Sequence, residues 1–515
     1  MAYAAQPEWT ERADKRGLDP LGLQTSGIAL YQELLPGVSN VTLRIRPYGL
    51  YAWLTAAYAK LSEGSTDAEA WRRWVRRTEA LYALTAADAG GETGVAGVEW
   101  ATRRLLDVGP DDLIDFTAAT ETSGSGLYLQ QSMGVYGGAY ATQMLEMGVL
   151  GQAEDERNQI WVPTPHLGLP LATAFAESLG PEREAFMLAA ISKPVVRRSD
   201  LAKLHGILPS RINPESSEAS IYLSALFGQH DLTSQHDETR NKTLLLVLML
   251  AKSLAARPSA DQVRWALFNA EPGSFGDGLE ATRLQWEAYH THDLLQLAFA
   301  VLLRLSTEEL RIGGTGLTFR DLVAASTART MASLPGTDAL TWSTFVSGLK
   351  VEDPAALATP LTRLRPDGID QRVAESAISL IGIIQSRVDA RPDLAEEIER
   401  VFPRTGPTVF NRSIRSELAF LRTRNDADLT TAISDLFADR IIRRHSQVAM
   451  TKFARQRDYT FLFEASDGRL KYRANYGPVL TTPRLGPAIA FLADLGLIAG
   501  TGLTARGEAW LGDRS

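Results

Sequence analysis

Ten cations fall between residues 440 and 484: Arg440, Arg443, Arg444, Lys452, Arg455, Arg457, Arg469, Lys471, Arg473 and Arg484. They face only Asp458, Glu464 and Asp467, so this segment carries +7, leaving −15 for the rest of a chain whose total is −8. Cations gathered in one stretch of an acidic chain suit the neutralisation of nucleic-acid phosphates. A basic face that docks an acidic partner, or the chain's own acidic part, would use the same residues. Arg469, Lys471, Arg473 and Arg484 are the first choices for phosphate contact. Arg72, Arg73, Arg76 and Arg77 come second: they form two i,i+4 pairs and repel one another unless an anion or acidic groups lie opposite. Arg44 and Arg46 complete the set, sharing a side if the backbone is extended. The competing use for that pair is structural, bridging carboxylates or carbonyls.

A second chemistry is suggested by three histidine–carboxylate clusters: His230-Asp231, His236-Asp237-Glu238 and His290-Thr291-His292-Asp293. Such groups can hold zinc, manganese or iron, and a metal-dependent hydrolase or nuclease is the corresponding alternative. The spacing argues against it. His290 and Asp293 share a helical face, His292 points away, and no H-E-x-x-H pattern occurs. No metal ligand, cofactor or catalytic residue is therefore assigned. Residues 123–138, SGSGLYLQQSMGVYGG, have the glycine content of a phosphate loop. They lack its Gly-Lys-Ser/Thr ending, and no G-x-S-x-G frame forms around Ser125.

The elements that position the cations read as follows. Residues 459–462 and 470–473, joined by Ser466-Asp467-Gly468, predict a β-hairpin with cations on its second strand. Next, Thr482 can cap a helix and Pro483 suits its first position. Ile489, Leu492 and Leu495 give that helix an apolar face, and Gly496 ends it. Leu497-Ile498 and Leu503-Thr504 then flank a Gly-Thr-Gly turn before a closing helix at 505–510. This order predicts a winged-helix unit, whose recognition helix would carry one cation, Arg484. The same order recurs earlier: a helix at 139–150, an acidic tip at 152–159 (QAEDERNQ), a strand at 160–164 and a helix at 169–179. That predicts a second winged-helix-like unit, better suited to packing or protein docking because an acidic wing repels phosphate. Residues 199–204 (SDLAKL) suggest a helix-turn-helix fragment.

Between these units the 3.6-residue period predicts helices at 237–255, 259–270, 278–305, 317–333, 342–349, 369–390, 394–402, 413–423 and 429–450. Helices are also predicted at 48–61 and 67–86, and residues 40–45 read as a strand or as an extended lead-in to the first. The expected fold is mainly α: a helical multidomain protein with two winged-helix-like units, each an α unit with a small β-hairpin. Its expected divisions are an N-terminal helical module at 1–110, a winged-helix-like module at 111–212, a helical middle at 213–440, and a basic hairpin plus winged helix at 441–515.

Composition narrows the function. A length of 515 residues predicts about three or four domains. The absence of cysteine excludes disulfides, thiolate catalysis and every cysteine-bearing zinc or iron–sulfur site, and fits a cytoplasmic chain. The first residues, MAYAAQPEWTERADKRG, hold no apolar signal core. The longest apolar run, 244–251, is far short of the ~20 residues that span a bilayer. No membrane partner is expected.

At residues 34–53 the chain resembles a pattern of uncharacterised bacterial proteins found in antiphage defence islands. The residues that carry the likeness are Leu35-Pro36-Gly37, Ser39, Thr42, Arg44, Arg46, Tyr48 and Trp53. Where that pattern commonly has a tyrosine directly after the second arginine, this chain has Pro47. Residues 445–511 look like the carboxy-terminal end of similar proteins, through Phe461, Asp467-Gly468, Thr482-Pro483-Arg484-Leu485 and Asp494-Leu495-Gly496. The resemblance covers about a fifth of the chain. It implies a defence setting and no catalytic residues. The expected function is a nucleic-acid-binding or sensing subunit of an antiphage system, engaging duplex DNA and the partner proteins of a defence operon. A docking scaffold for an effector protein is the alternative.

Overall fold

The computed structural model describes residues 15–16, 19–153, 160–229, 234–349, 353–364, 368–405 and 411–512. These residues are mainly helical, and their short strands pair only in twos. They divide into two compact units. One draws on segments within Met1–Tyr31, Leu267–Ala270 and Leu284–Thr481, the other on Gln32–Ala266, Glu271–Arg283 and Thr482–Ser515. No helix among the described residues is long and apolar enough to cross a membrane.

The first unit is built around the 284–312 part of helix Asp277–Ile312. Leu294, Leu295, Leu297, Ala298, Val301, Leu302 and Leu305 are all buried, and at 297–303 (LAFAVLL) the helix is apolar on every face. A helix enclosed in this way must satisfy its polar side chains internally. Glu287 pairs with Arg387. The His292 ring lies between the Leu23 carbonyl (2.8 Å) and the Ile414 N–H (3.1 Å). Asp293 accepts the N–H and hydroxyl of Thr481, and Gln296 donates to the Val479 carbonyl. Arg304 reaches Glu308 at 3.1 Å and the Tyr476 carbonyl at 3.2 Å. The helix is thus tied at several heights to segments far from it in sequence.

Helices Phe319–Met331, Gln371–Ala390 and Leu429–Asp435 pack in the same unit. The last continues through a π-helical stretch, Leu436–Ile442, into Arg443–Gln456, so the single helix expected at 429–450 is interrupted and runs six residues further. The hairpin forms later than expected, from Phe463–Ser466 and Arg469–Tyr472. Asp467 and Gly468 both take positive φ, at 55° and 74°. A two-residue turn of that kind closes the pair Ser466–Arg469 and fixes the register from there. Residues 459–462, expected as the first strand, precede it. Leu470 also exchanges backbone hydrogen bonds with Leu317, which supports the second strand on its other edge.

The second unit opens with helix Arg46–Leu61, with Pro47 in its first turn. The preceding residues 40–45 form a turn and an irregular lead-in, held by Ser39–Thr42 hydrogen bonds, and no strand. Helix Ala68–Ala89 follows, capped by the Asp67 carboxylate on the Glu69 and Ala70 N–H groups. Helix Gly168–Leu179 packs against Arg46–Leu61, and helices Ser217–Phe227 and Gln235–Leu254 extend the core. Residues 198–207 are 3₁₀-helical, so the helix expected there is a tighter, shorter-range coil. Two segments repeat one order. Helix Ala141–Glu146, strands Leu150–Gly151 and Val162–Pro163, and helix Gly168–Leu179 form the first. Helix Leu485–Asp494, strands Ile498–Ala499 and Gly502–Leu503, and helix Ala505–Gly512 form the second. Most of the acidic tip expected at 152–159 lies outside the described residues. Gly502 lets the second hairpin sit on the 251–256 backbone, where a Cβ would lie 2.8 Å from the Ala251 carbonyl oxygen.

Buried His445 gives the first unit a pH-dependent strut. Its Nδ1 faces the Pro20 carbonyl at 3.1 Å, and its Nε2 accepts from the Leu462 N–H at 3.0 Å. Burial pushes this imidazole from its usual 6.5 down to about 4. The unfolded chain therefore takes up the proton first. The stability this ring contributes is complete above pH 6.5 and is lost as the pH falls through 4, a change of about 3 kcal/mol. Denaturant titrations of wild type and His445→Gln should show the gap between them narrowing over that window. Parallel curves would show that the ring is no such strut.

Candidate functional site

Three of the ten expected phosphate contacts share a face. Arg469, Lys471 and Arg473 alternate along and just beyond strand Arg469–Tyr472, so their side chains leave on one side of it. Arg469 and Lys471 are exposed. Arg469 donates to the Gly316 carbonyl at 3.0 Å. Lys471 lies 3.6 Å from the open carboxylate of Asp467, a pairing worth little in water. Arg473 is half-buried, 2.8 Å from Glu464 and stacked over the Tyr459 ring. Tyr459 in turn packs against Phe453. Phe453 belongs to helix Arg443–Gln456, whose end carries the exposed Arg455 and Arg457. Neither of these two forms an ion pair among the described residues. Contacts through Tyr459 and Phe453 thus connect the cationic strand to the helix that ends in Arg455 and Arg457, all within the first unit, and Glu464, the cross-strand partner of Lys471, lies on the same side of the hairpin.

Six of the seven remaining expected contacts are engaged inside the second unit, and Arg73 is the exception. Arg46 is 2% exposed. Its five donors all have partners: both oxygens of Glu218, the Gly206 and Leu208 carbonyls, and the Ser178 hydroxyl. Arg44 points elsewhere, to Asp494 at 2.8 Å, Glu92 and the Thr93 carbonyl. The two do not share a side, because the backbone between them is not extended. Arg484 is buried and meets the Leu35 carbonyl, Gln143 and Glu146. The Arg72–Arg77 group is dispersed. Arg76 is buried and donates to the carbonyls of Thr120, Glu121, Leu129 and Gln131. Arg77 binds the Ile191 and Ser192 carbonyls, and Arg72 pairs with Glu69. Arg73 alone of the four is exposed.

The histidine clusters have structural partners too. Asp237 closes a capping box with Ser234 and pairs with Arg240. His292 and Asp293 are the struts described above, and His290 stacks on Trp286. No group of three or more potential metal ligands occurs among the described residues. His230 and Asp231 lie outside them.

A cavity of about 400 Å³ in the second unit was not foreseen from the sequence. Its walls come from helix Arg46–Leu61 (Leu50, Tyr51), helix Ala68–Ala89 (Glu79, Tyr82), residues 94–96 and the Gly-rich segment through Tyr140. Glu79 is buried and accepts from four donors: the hydroxyls of Tyr51 (2.7 Å) and Tyr128, and the N–H groups of Val135 (3.0 Å) and Tyr136 (2.7 Å). Burial raises its carboxyl above the usual range, although all four donors pull the other way. The same burial keeps the phenols of Tyr51 and Tyr128 protonated, and therefore donating. Gly134 takes φ +59° beside this carboxylate, where a Cβ would lie 2.0 Å from Glu79 Oε2. Arg76 holds the preceding loop in place through its four carbonyls. The carboxylate also sits at the start of a π-helical turn, Tyr136–Tyr140, a form that recurs at functional sites. One signal in the sequence marks the place. Glu79 is an acid that opens an otherwise apolar stretch, EALYAL, and Tyr128, Tyr136 and Tyr140 lie among or beside the glycines.

Replacing Glu79 with Gln presents an NH₂ group to two of the four donors. Thermal or denaturant unfolding should show a loss of about 2–4 kcal/mol. An unchanged midpoint would mean that the hydrogen-bonded carboxylate does not hold the Gly-rich segment. No protein-family model, curated protein or solved structure matches this chain.

Proposed function

We propose that this chain is a nucleic-acid-binding or sensing subunit that grips the sugar–phosphate backbone of duplex DNA with the hairpin face of its first unit. The observation that carries this reading is the pair of exposed cations Arg469 and Lys471 on one side of the hairpin strand, with exposed Arg455 and Arg457 ending the helix whose Phe453 packs on Tyr459. Exposed cations can exchange water and weak surface pairs for phosphate at little cost. Arg44, Arg46, Arg76 and Arg484 stand behind the fold in this reading and take no phosphate.

The two helix–hairpin–helix segments of the second unit are read as winged-helix-like modules. Their helices carry few outward cations, which favours docking and packing over groove recognition. The resemblance at residues 34–53 and 445–511 supplies the setting: a bacterial antiphage defence system in which this chain works in the cytoplasm with partner proteins. A scaffold that docks an effector is the second reading. It is favoured by Met450 and Phe453, apolar residues that are 58% and 38% exposed on the same helix as Arg455.

Fluorescence anisotropy with duplex and single-stranded DNA over a salt series tests the proposal. Four phosphate contacts give a slope of log K against log salt of about −3 to −4. Reversing Arg455, Arg457, Arg469 and Lys471 to Glu should abolish binding, whereas reversing the exposed Arg73 in the other unit should leave it nearly unchanged. Salt-independent binding, or no binding with a protein partner that co-purifies stoichiometrically, would overturn it in favour of the scaffold.

A further inference from the structure

We propose that the cavity beside Glu79 is a binding site for a small organic cation, an amine with an apolar body, separate from the nucleic-acid face. Its size lies within the range of small-molecule sites. Its chemistry is one-sided. Glu79 is the one ionisable acid in the lining, and no lysine, arginine or histidine lines it. The three tyrosines in the wall have already committed their hydroxyl protons. Tyr51 donates to Glu79, Tyr82 to the Ile207 carbonyl and Tyr140 to the Arg44 carbonyl. What they offer a guest is lone pairs and ring faces. The nearby N–H groups are likewise engaged, Gly134 with the Gln131 carbonyl and Val135 with Glu79. Apart from the exposed Gln131, the lining side chains provide no N–H donor.

A lining of acceptors, π faces and one carboxylate repels anions. It attracts an ammonium group, which would sit over the tyrosine faces near Glu79. The rest of the guest is defined by the other residues of the lining. Val41 and Leu43 are 58% and 45% exposed, large apolar side chains left in water beside the opening. An aliphatic or aromatic body would cover them. Both parts of the ligand thus have a match: a protonated amine toward Glu79, and a hydrocarbon body over Val41 and Leu43. The four donors already on the carboxylate mean that the ammonium meets it through the polarised Tyr51 oxygen and the field of the site, with no proton transfer required.

The test uses the full chain and three primary ammoniums of increasing size: butyl-, 2-phenylethyl- and tryptammonium. Calorimetry should show at least one of them binding tenfold or more tightly than 2-phenylethanol, with 3-phenylpropionate not binding. The cavity is assigned by Gly138→Leu. Gly138 lines its exposed edge, and a Cβ there meets no atom within 4 Å, so a leucine adds bulk at the opening without displacing Glu79 or its donors. This variant should melt as the wild type does and lose amine binding at least tenfold. Failure of all three amines to bind overturns the proposal. So does equal binding of the alcohol, or amine binding that Gly138→Leu leaves intact. DNA binding at the hairpin face is unaffected by any of these outcomes.

Discussion

A charge removed from water must be met by opposite charge or by aligned dipoles, and this fold is held by places where that has been done. Arg46 meets a carboxylate, two carbonyls and a hydroxyl with its five donors. Glu79 meets two phenols and two amides. Glu287 meets Arg387 from a completely buried position. Such groups add little net stability over an apolar packing of the same volume, but leaving one of them unmatched costs several kcal/mol. They therefore act mainly on uniqueness. Each can be satisfied by one arrangement of segments, and each links residues more than fifty positions apart or a helix to a loop that would otherwise have little to hold it.

The same rule explains what the sequence did and did not reveal. Helices announced themselves through periodicity. Expected segments such as 48–61, 67–86, 237–255 and 369–390 lie within a few residues of those observed, because their apolar faces and caps are local signals. The hairpin turn was legible from Asp467-Gly468, but the first strand was misplaced by four residues, since its register depends on which residues flank the positive-φ pair. The alternation at residues 40–45 imitated a strand, yet among the described residues no strand pairs with it. Arg44 and Arg46 instead diverge to partners at Asp494 and Glu218.

Charge was the hardest quantity to read. The sign change after residue 440 is real, but a count of cations treats every arginine alike. Arg444 and Arg440 both face the buried Glu417, Arg473 faces Glu464, and Arg484 is enclosed. Only the partners that the fold brings up separate an arginine that builds the fold from one that faces solvent. The cavity left a trace in composition and none in spacing, for a related reason. Glu79, Tyr51, Tyr82 and Tyr140 come from three separate segments, and none carries a spacing that marks it as part of a common wall.

The π-helical turn at Tyr136–Tyr140 has an evolutionary and engineering corollary. A π turn is an α-helical turn holding one surplus residue, so its length is a matter of register. Winding 136–140 as ordinary α-helix with that residue kept would swing everything on its amino-terminal side by about 100°, whereas trimming it would leave both flanks in register. In the first case the register changes, and the Val135 and Tyr136 amides would rotate away from the carboxylate they now grip. A change of winding in this short turn, from π to α at constant length, would remodel the tyrosine-walled chamber more thoroughly than most changes of side chain.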